Sequence, residues 1–122
     1  MKTPRSSIDY LADIIDAMDK IVRFIGTMDE AAFRGDDKTV FAVIRGLEIV
    51  GEAVKHIPDA VRSSHPAIPW RAMAGMRDKL IHDYTVVDIT VVWRTATEDI
   101  PALRPLFQQL YQAYQLTGDD AP

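Results

Sequence analysis

From Ile8 onward apolar residues return at steps of three and four: Ile8, Leu11, Ile14, Ile15, Met18, Ile21, Val22, Ile25 and Met28. That spacing is the buried stripe of an amphipathic helix, predicted to end near Arg34-Gly35. Ser6-Ser7-Ile8-Asp9 supplies its start as a capping box, in which the Ser6 oxygen accepts from a free amide and Asp9 reaches back. A second stripe follows, with Val40, Ile44, Leu47, Gly51 and Val54 at steps of four, three, four and three. Asp36-Asp37 places carboxylates at its start, where free amides and the helix dipole favour them. Gly46 and Gly51 each cost about 1 kcal/mol against alanine inside a helix. The seam therefore implies close backbone approach by a neighbouring helix, either within the chain or across a dimer. Pro58 stops this helix.

The stretch from Pro58 to Pro69 is rich in breakers and is predicted to hold one short helix over Asp59–Arg62. Pro69 suits the first position of a third helix, whose apolar face is Trp70, Met73, Met76 and Leu80. That helix should run through Arg77 and reach the neighbourhood of His82–Tyr84. The β-branched run Thr85 to Val92 would suit a strand, but no partner strand exists elsewhere in the sequence. Asp88 can instead cap a helix with Ile89, Val92, Trp93 and Ala96 on its apolar face, and a helix is predicted. Asp99-Ile100-Pro101 marks a fresh start or a kink, after which Leu103, Leu106, Phe107, Leu110 and Tyr114 define the last helix. The expected fold is all-α, an up-and-down bundle of four to five helices. It would form a single domain over residues 1–116, with a frayed tail over 117–122.

Composition changes little in this picture. With 122 residues, 48% hydrophobic and 26% charged, the chain can bury one core. It has no cysteine, which removes disulfides and thiolate chemistry. No apolar run is long enough to span a bilayer, and the first residues lead into a helix dotted with acids, not a signal segment. The expected address is the cytoplasm. Charge matters more. A net charge of −4 is unusual for a protein that binds nucleic acid, so any RNA contact must come from a local cluster. The candidate cluster is Arg62, His65, Arg71, Arg77, Lys79 and His82, diluted by Asp59, Asp78 and Asp83.

The most informative string is Arg77-Asp78-Lys79-Leu80-Ile81-His82-Asp83-Tyr84. An imidazole takes and returns protons near neutral pH, and a guanidinium matches phosphate oxygens with paired donors. Together they suit metal-free attack of a ribose 2′-hydroxyl on the neighbouring phosphate. His82 would move protons while Arg77 stabilises the growing charge. Asp78 lies four residues from His82 and could orient its ring. Tyr84, seven residues from Arg77, would share its face if the helix persists. Arg77 and His82 are five apart, which splays them by roughly 140 degrees on one helix. The length of the arginine, a helix end near His82, or a second subunit could bring them together. The same pair also fits a solvated helix face. Glu48 and Glu52 fit acids that orient Arg77 or His82, and equally an exposed charge pair beside the Gly51 seam. Lys79 is a further supporting cation in the string. His56, His65 and His82 lack the short spacing of a zinc site, so neither a metal nor a cofactor is expected. Trp70 and Trp93 read as core anchors, and Tyr10, Tyr111 and Tyr114 as packing residues with a wet hydroxyl.

The spacing Arg77-x-x-x-x-His82-x-Tyr84 resembles the motif of the HepT branch of the HEPN superfamily. The likeness extends to Leu47-Glu48-Ile49-Val50-Gly51-Glu52-Ala53, to the run Ile68 to Arg77, and to Trp93 with Glu98-Asp99-Ile100-Pro101. The resemblance implies a HEPN-like helical bundle that forms a homodimer with both motifs facing one cleft. It implies a metal-independent ribonuclease acting on RNA as the toxin of a two-gene toxin–antitoxin module. The implied partner is a small nucleotidyltransferase antitoxin of the MntA type, which can silence the toxin by attaching AMP to the motif tyrosine, Tyr84 here. An alternative is a non-catalytic HEPN module that docks a nucleotidyltransferase or a nucleotide, and a third is a structural dimerisation bundle.

Overall fold

The computed structural model describes residues 4–82 and 87–117, with His82 placed by its backbone alone. Helix α1 (Ser7–Ile25) opens on the predicted box, the Ser6 amide donating to Asp9 Oδ2 at 3.1 Å. Most of its stripe is inside, with Ile8 and Ile15 partly buried, but Val22 of the predicted set is exposed. Leu11, Ile14, Met18 and Ile21 are fully buried, each contributing on the order of 1.5–3 kcal/mol relative to exposure.

The helix does not run on to Arg34. Gly26 takes a φ of 53°, where an L side chain would be strained, and the chain turns there. Helix α2 (Glu30–Arg34) then starts afresh under Asp29, whose carboxylate accepts from the Ala32 amide at 2.8 Å. The stripe concealed this break because Met28, three residues past Ile25, packs on the same core after the helix has ended.

Helix α3 (Asp37–Lys55) begins where the acids predicted, with Asp36 Oδ1 accepting from the Thr39 amide at 3.1 Å. It is the central rod, packed on α1 along one flank and on α5 (Trp70–His82) along another. Each of its glycines marks one of those contacts. A Cβ at Gly46 would lie 2.7 Å from Ile21 Cγ1 of α1, and one at Gly51 would lie 2.2 Å from Arg77 Cβ of α5. Both close approaches fall within the chain.

Pro58 caps the short α4 (Asp59–Ser64), which runs two residues past Arg62. Pro69 stands just before α5 and not at its first position, its carbonyl accepting from the Met73 amide at 3.0 Å. Trp70 is buried edge-on to Phe107, with centroids 5.5 Å apart, and its Nε1 donates to the His65 carbonyl at 3.0 Å. That is a core anchor with its polar handle satisfied.

The β-branched segment is helical from Ile89 onward, while Thr85 and Val86 lie outside the described residues. Asp88 Oδ1 accepts from the amides of Thr90 at 2.9 Å and Val91 at 3.4 Å and caps α6 (Ile89–Arg94). Val92 and Ala96 are buried, and Trp93 packs against Phe33 at 5.2 Å. The rod continues through a π turn, Thr95–Asp99, into α7 (Ile100–Thr117). Pro101 gives the reason for the wider turn: it has no N–H, and its ring would collide with the carbonyl four residues back. The Ile100 amide donates to Thr95 O instead, and the Thr97 hydroxyl donates to Trp93 O at 2.7 Å. The fresh start or kink expected at Asp99–Pro101 is this turn.

Helix α7 packs on α1, where Arg104 grips Asp19 with Nε at 2.9 Å and Nη2 at 3.2 Å; that hydrogen-bonded pair raises the arginine's pKa. The result is an all-α bundle, which among the described residues consists of three long helices, the continuous α6–α7 rod, and two short connecting helices. No strand occurs among the described residues, and no helix there is long and apolar enough to cross a membrane. The tail past Thr117 lies outside the described residues.

Candidate active site

Arg77 sits where α5 meets α3, its Cβ against the backbone of Gly51. The missing side chain at Gly51 lets the arginine stem lie flat on α3, and this sets where the guanidinium ends. Nη2 pairs with Glu52 Oε1 at 3.1 Å, and Nη1 donates to Asp78 Oδ1 at 3.2 Å. The inner Nε is buried without a hydrogen-bond partner, while the side chain as a whole is 24% exposed. Asp78 also accepts from Lys55 of α3. The Lys55 hydrogen bond, and then that of Arg77, holds the Asp78 carboxyl below its ordinary range. Asp78 thus ties α5 to α3 and is not available solely to orient His82.

Glu52 carries a second contact. Its Oε2 lies 3.2 Å from His56 Nε2, so one carboxylate spans a guanidinium and an imidazole. The His56 ring is stacked on Tyr10 of α1, with centroids 4.6 Å apart and planes within 6°. The Arg5 guanidinium lies 5.0 Å from the same tyrosine ring and pairs with Asp13. Tyr10, Asp13, Glu52 and His56 border a cleft of about 180 Å³ between α1, α3 and α5, which Arg45, Glu48 and Arg77 also line.

The structure sorts the predicted residues. Arg77, Asp78 and Glu52 are brought together. Glu48 is half-buried on the same cleft and pairs with Arg45 at 3.4 Å. Lys79 is exposed and lines a separate groove with Val87, Val91 and Val92, away from that cleft. His82 is the last described residue of α5, and its side chain and the whole of Tyr84 lie outside the described residues. Among the described residues, no group of three or more His, Cys, Asp or Glu is placed to hold a metal ion.

Three contributors escaped the sequence reading. Lys55 and Tyr10 reach the site only through packing between helices, which no local pattern discloses. His56 lacks the spacing of a zinc ligand, but its spacing of four from Glu52 is a legible helix-face pair. Tyr10, read as a packing residue, carries an imidazole on its ring.

Chemically, the arrangement is a cation anchored but not exhausted. A guanidinium has five donors in a planar fork, and the carboxylates engage one contact on each terminal nitrogen. Donors remain for an anion of phosphodiester type.

The family model described as Ribonuclease HepT-like matches residues 14–110. The chain is 53% identical over 106 residues to the "Probable ribonuclease HepT" of Thermococcus cleftensis, covering 87% of this chain and 96% of that one. A protein of Methanocaldococcus jannaschii named as a candidate RNase is 46% identical over 101 residues, covering 83% and 87%. Another named so, from Caldanaerobacter subterraneus, is 38% identical over 112 residues, covering 92% and 97%. No solved structure matches. With a helical bundle that presents Arg77 of the Arg-x4-His-x-Tyr string at a cleft, and with likeness of this extent, the chain belongs to the HepT-like ribonuclease family of the HEPN superfamily.

Proposed function

We propose that the chain is an endoribonuclease that cleaves RNA without a metal, by attack of a ribose 2′-hydroxyl on the adjacent phosphate. The observation that carries this reading is the anchored guanidinium of Arg77 at the cleft between α3 and α5. The ribonuclease names of the relatives support it. Arg77 binds the phosphate and stabilises the charge that grows on its oxygens. Glu52 and Asp78 fix the arginine, and binding exchanges one carboxylate contact for a phosphate oxygen. Such an exchange also offers a partner to the buried, unpaired Nε. His82, five residues along α5, moves a proton.

Two consequences can be measured. Purified protein should cut RNA in excess chelator, and His82→Ala should lower the initial rate by about 10²-fold or more with the helical spectrum unchanged. Cleavage that stops in chelator and returns with a divalent ion would sink the metal-free mechanism. Full activity of His82→Ala would remove that residue from it.

The finer reading places this activity in the cytoplasm, as the toxin of a two-gene module. It works as a homodimer and is silenced by a nucleotidyltransferase antitoxin that adds AMP to Tyr84. Its support is the motif spacing, which sets Tyr84 two residues from His82. On co-expression with a nucleotidyltransferase from the adjacent reading frame, the intact mass should rise by whole AMP units. Tyr84→Phe should show no such increment. An unchanged mass in the wild-type chain, with activity nevertheless suppressed, would mean that the partner covers the site without modifying it.

A further inference from the structure

Attack by a 2′-hydroxyl needs two proton transfers, one from the nucleophile and one to the leaving 5′-oxygen. His82 can perform one of them in a given step. The described part of the cleft holds an imidazole, that of His56, and its setting is specific. Glu52 meets His56 Nε2 with one oxygen and Arg77 Nη2 with the other. The carboxylate accepts the Nε2 proton, which leaves Nδ1 of the neutral ring as the nitrogen with a lone pair. Stacking on Tyr10 fixes the plane of the ring. His56 and Arg77 border the same cleft, so a phosphate held by the guanidinium brings its ribose close to the imidazole. The chain thus contains a carboxylate that orients a base and, through the same group, orients the residue that binds the anion.

We infer that His56 is the general base of the cleavage reaction, with Glu52 as its positioning residue; this rests on the ribonuclease reading above. His56 Nδ1 takes the 2′-hydroxyl proton as the 2′-oxygen bonds to phosphorus. The bond from phosphorus to the 5′-oxygen breaks, and that oxygen takes a proton from His82. The products are a 2′,3′-cyclic phosphate and a 5′-hydroxyl, and water returns the proton from His56 to His82 between turnovers. The groups that face His56 are Glu52 on its own helix and Tyr10 on α1. Arg5 lies beyond the tyrosine, and Asp13, Arg45, Glu48 and Arg77 share the cleft. A Glu–His pair four apart could instead merely tie off the end of α3, where His56 is the C-cap.

The full chain separates these roles. His56→Ala should lower kcat/KM for a short RNA by about 10²-fold, the lower end of what a general base contributes. It should also erase the acidic limb of the pH–rate profile, because that limb reports a base that must be unprotonated to accept the 2′-hydroxyl proton. Imidazole added to His56→Gly should restore cleavage, with a rate that follows the neutral fraction of the added base. Arg77→Ala should gain nothing from imidazole. A His56→Ala enzyme within twofold of wild type would overturn the assignment. So would a slow variant that keeps the wild-type acidic limb and ignores imidazole, since that marks a structural role. A wild-type chain that cuts no RNA would remove the nuclease reading itself, which is a different result from either.

Discussion

Arg77→Ala should cut RNA at least about 10³-fold more slowly than the wild-type chain, the upper range for loss of a donor aimed at developing negative charge. Lysine at the same position should recover only a small part of the rate. Its ammonium is a point charge on a flexible stem, whereas the guanidinium presents a planar fork that can pair with two phosphate oxygens. Stability should change little by comparison. Glu52 keeps His56 and Asp78 keeps Lys55 when the arginine is removed, so neither carboxylate is stranded. Both are close to half-exposed, and ion pairs of that kind contribute at most about 1 kcal/mol. Initial rates on one RNA, read beside thermal melts of the same preparations, provide the comparison. A variant that melts like wild type and cuts within tenfold of it would take Arg77 out of the mechanism. One that loses both fold and activity would show that the arginine is a structural tie.

What could be read from the sequence divides along the range of the interactions involved. Asp36 and Asp88 identify helix starts because a cap is decided within three residues, and both carboxylates accept the amides expected of them. The Gly51 seam was legible too, though the pattern left open whether the approaching helix was internal; the neighbour is α5. The turn at Gly26 was hidden, because apolar spacing carried across it through Met28. Pro101 announced a disturbance but not its form, since a proline within a rod can be absorbed by a kink, a break or a wider turn. The site followed the same rule. Arg77 stood out through a short-range string, and Asp78 stood next to it. The Tyr10–His56 stack and the Lys55–Asp78 pair join residues 46 and 23 positions apart (56 − 10 and 78 − 55), and only packing of the helices brings them together.

Gly51→Ala sets two effects of opposite sign against each other, and the distances decide between them. Alanine gains about 1 kcal/mol over glycine inside a helix. Against this, the new methyl would lie 2.2 Å from Arg77 Cβ and 2.9 Å from the Met73 carbonyl oxygen. Neither atom is the free end of a flexible side chain: one is the root of Arg77, and the other is the backbone of α5. The helix itself must move, and overpacking of that kind costs about 1–3 kcal/mol, occasionally more. The variant should therefore be destabilised by up to about 2 kcal/mol, with Gly51→Val worse. Gly75→Ala is the matched control. It lies within α5, nothing approaches its Cβ position within 4 Å, and it should gain up to about 1 kcal/mol from the same helix preference. Denaturant melts of the two alanine variants should therefore move in opposite directions. The effect on cleavage should exceed the effect on folding, because displacing α5 carries Arg77 away from Glu52 even in molecules that remain folded. A misplacement of about 1 Å in a positioning group can cost 10²-fold in rate. Should Gly51→Ala prove as stable and as active as wild type, α5 would be free to slide on α3, and the glycine would not be what sets the arginine.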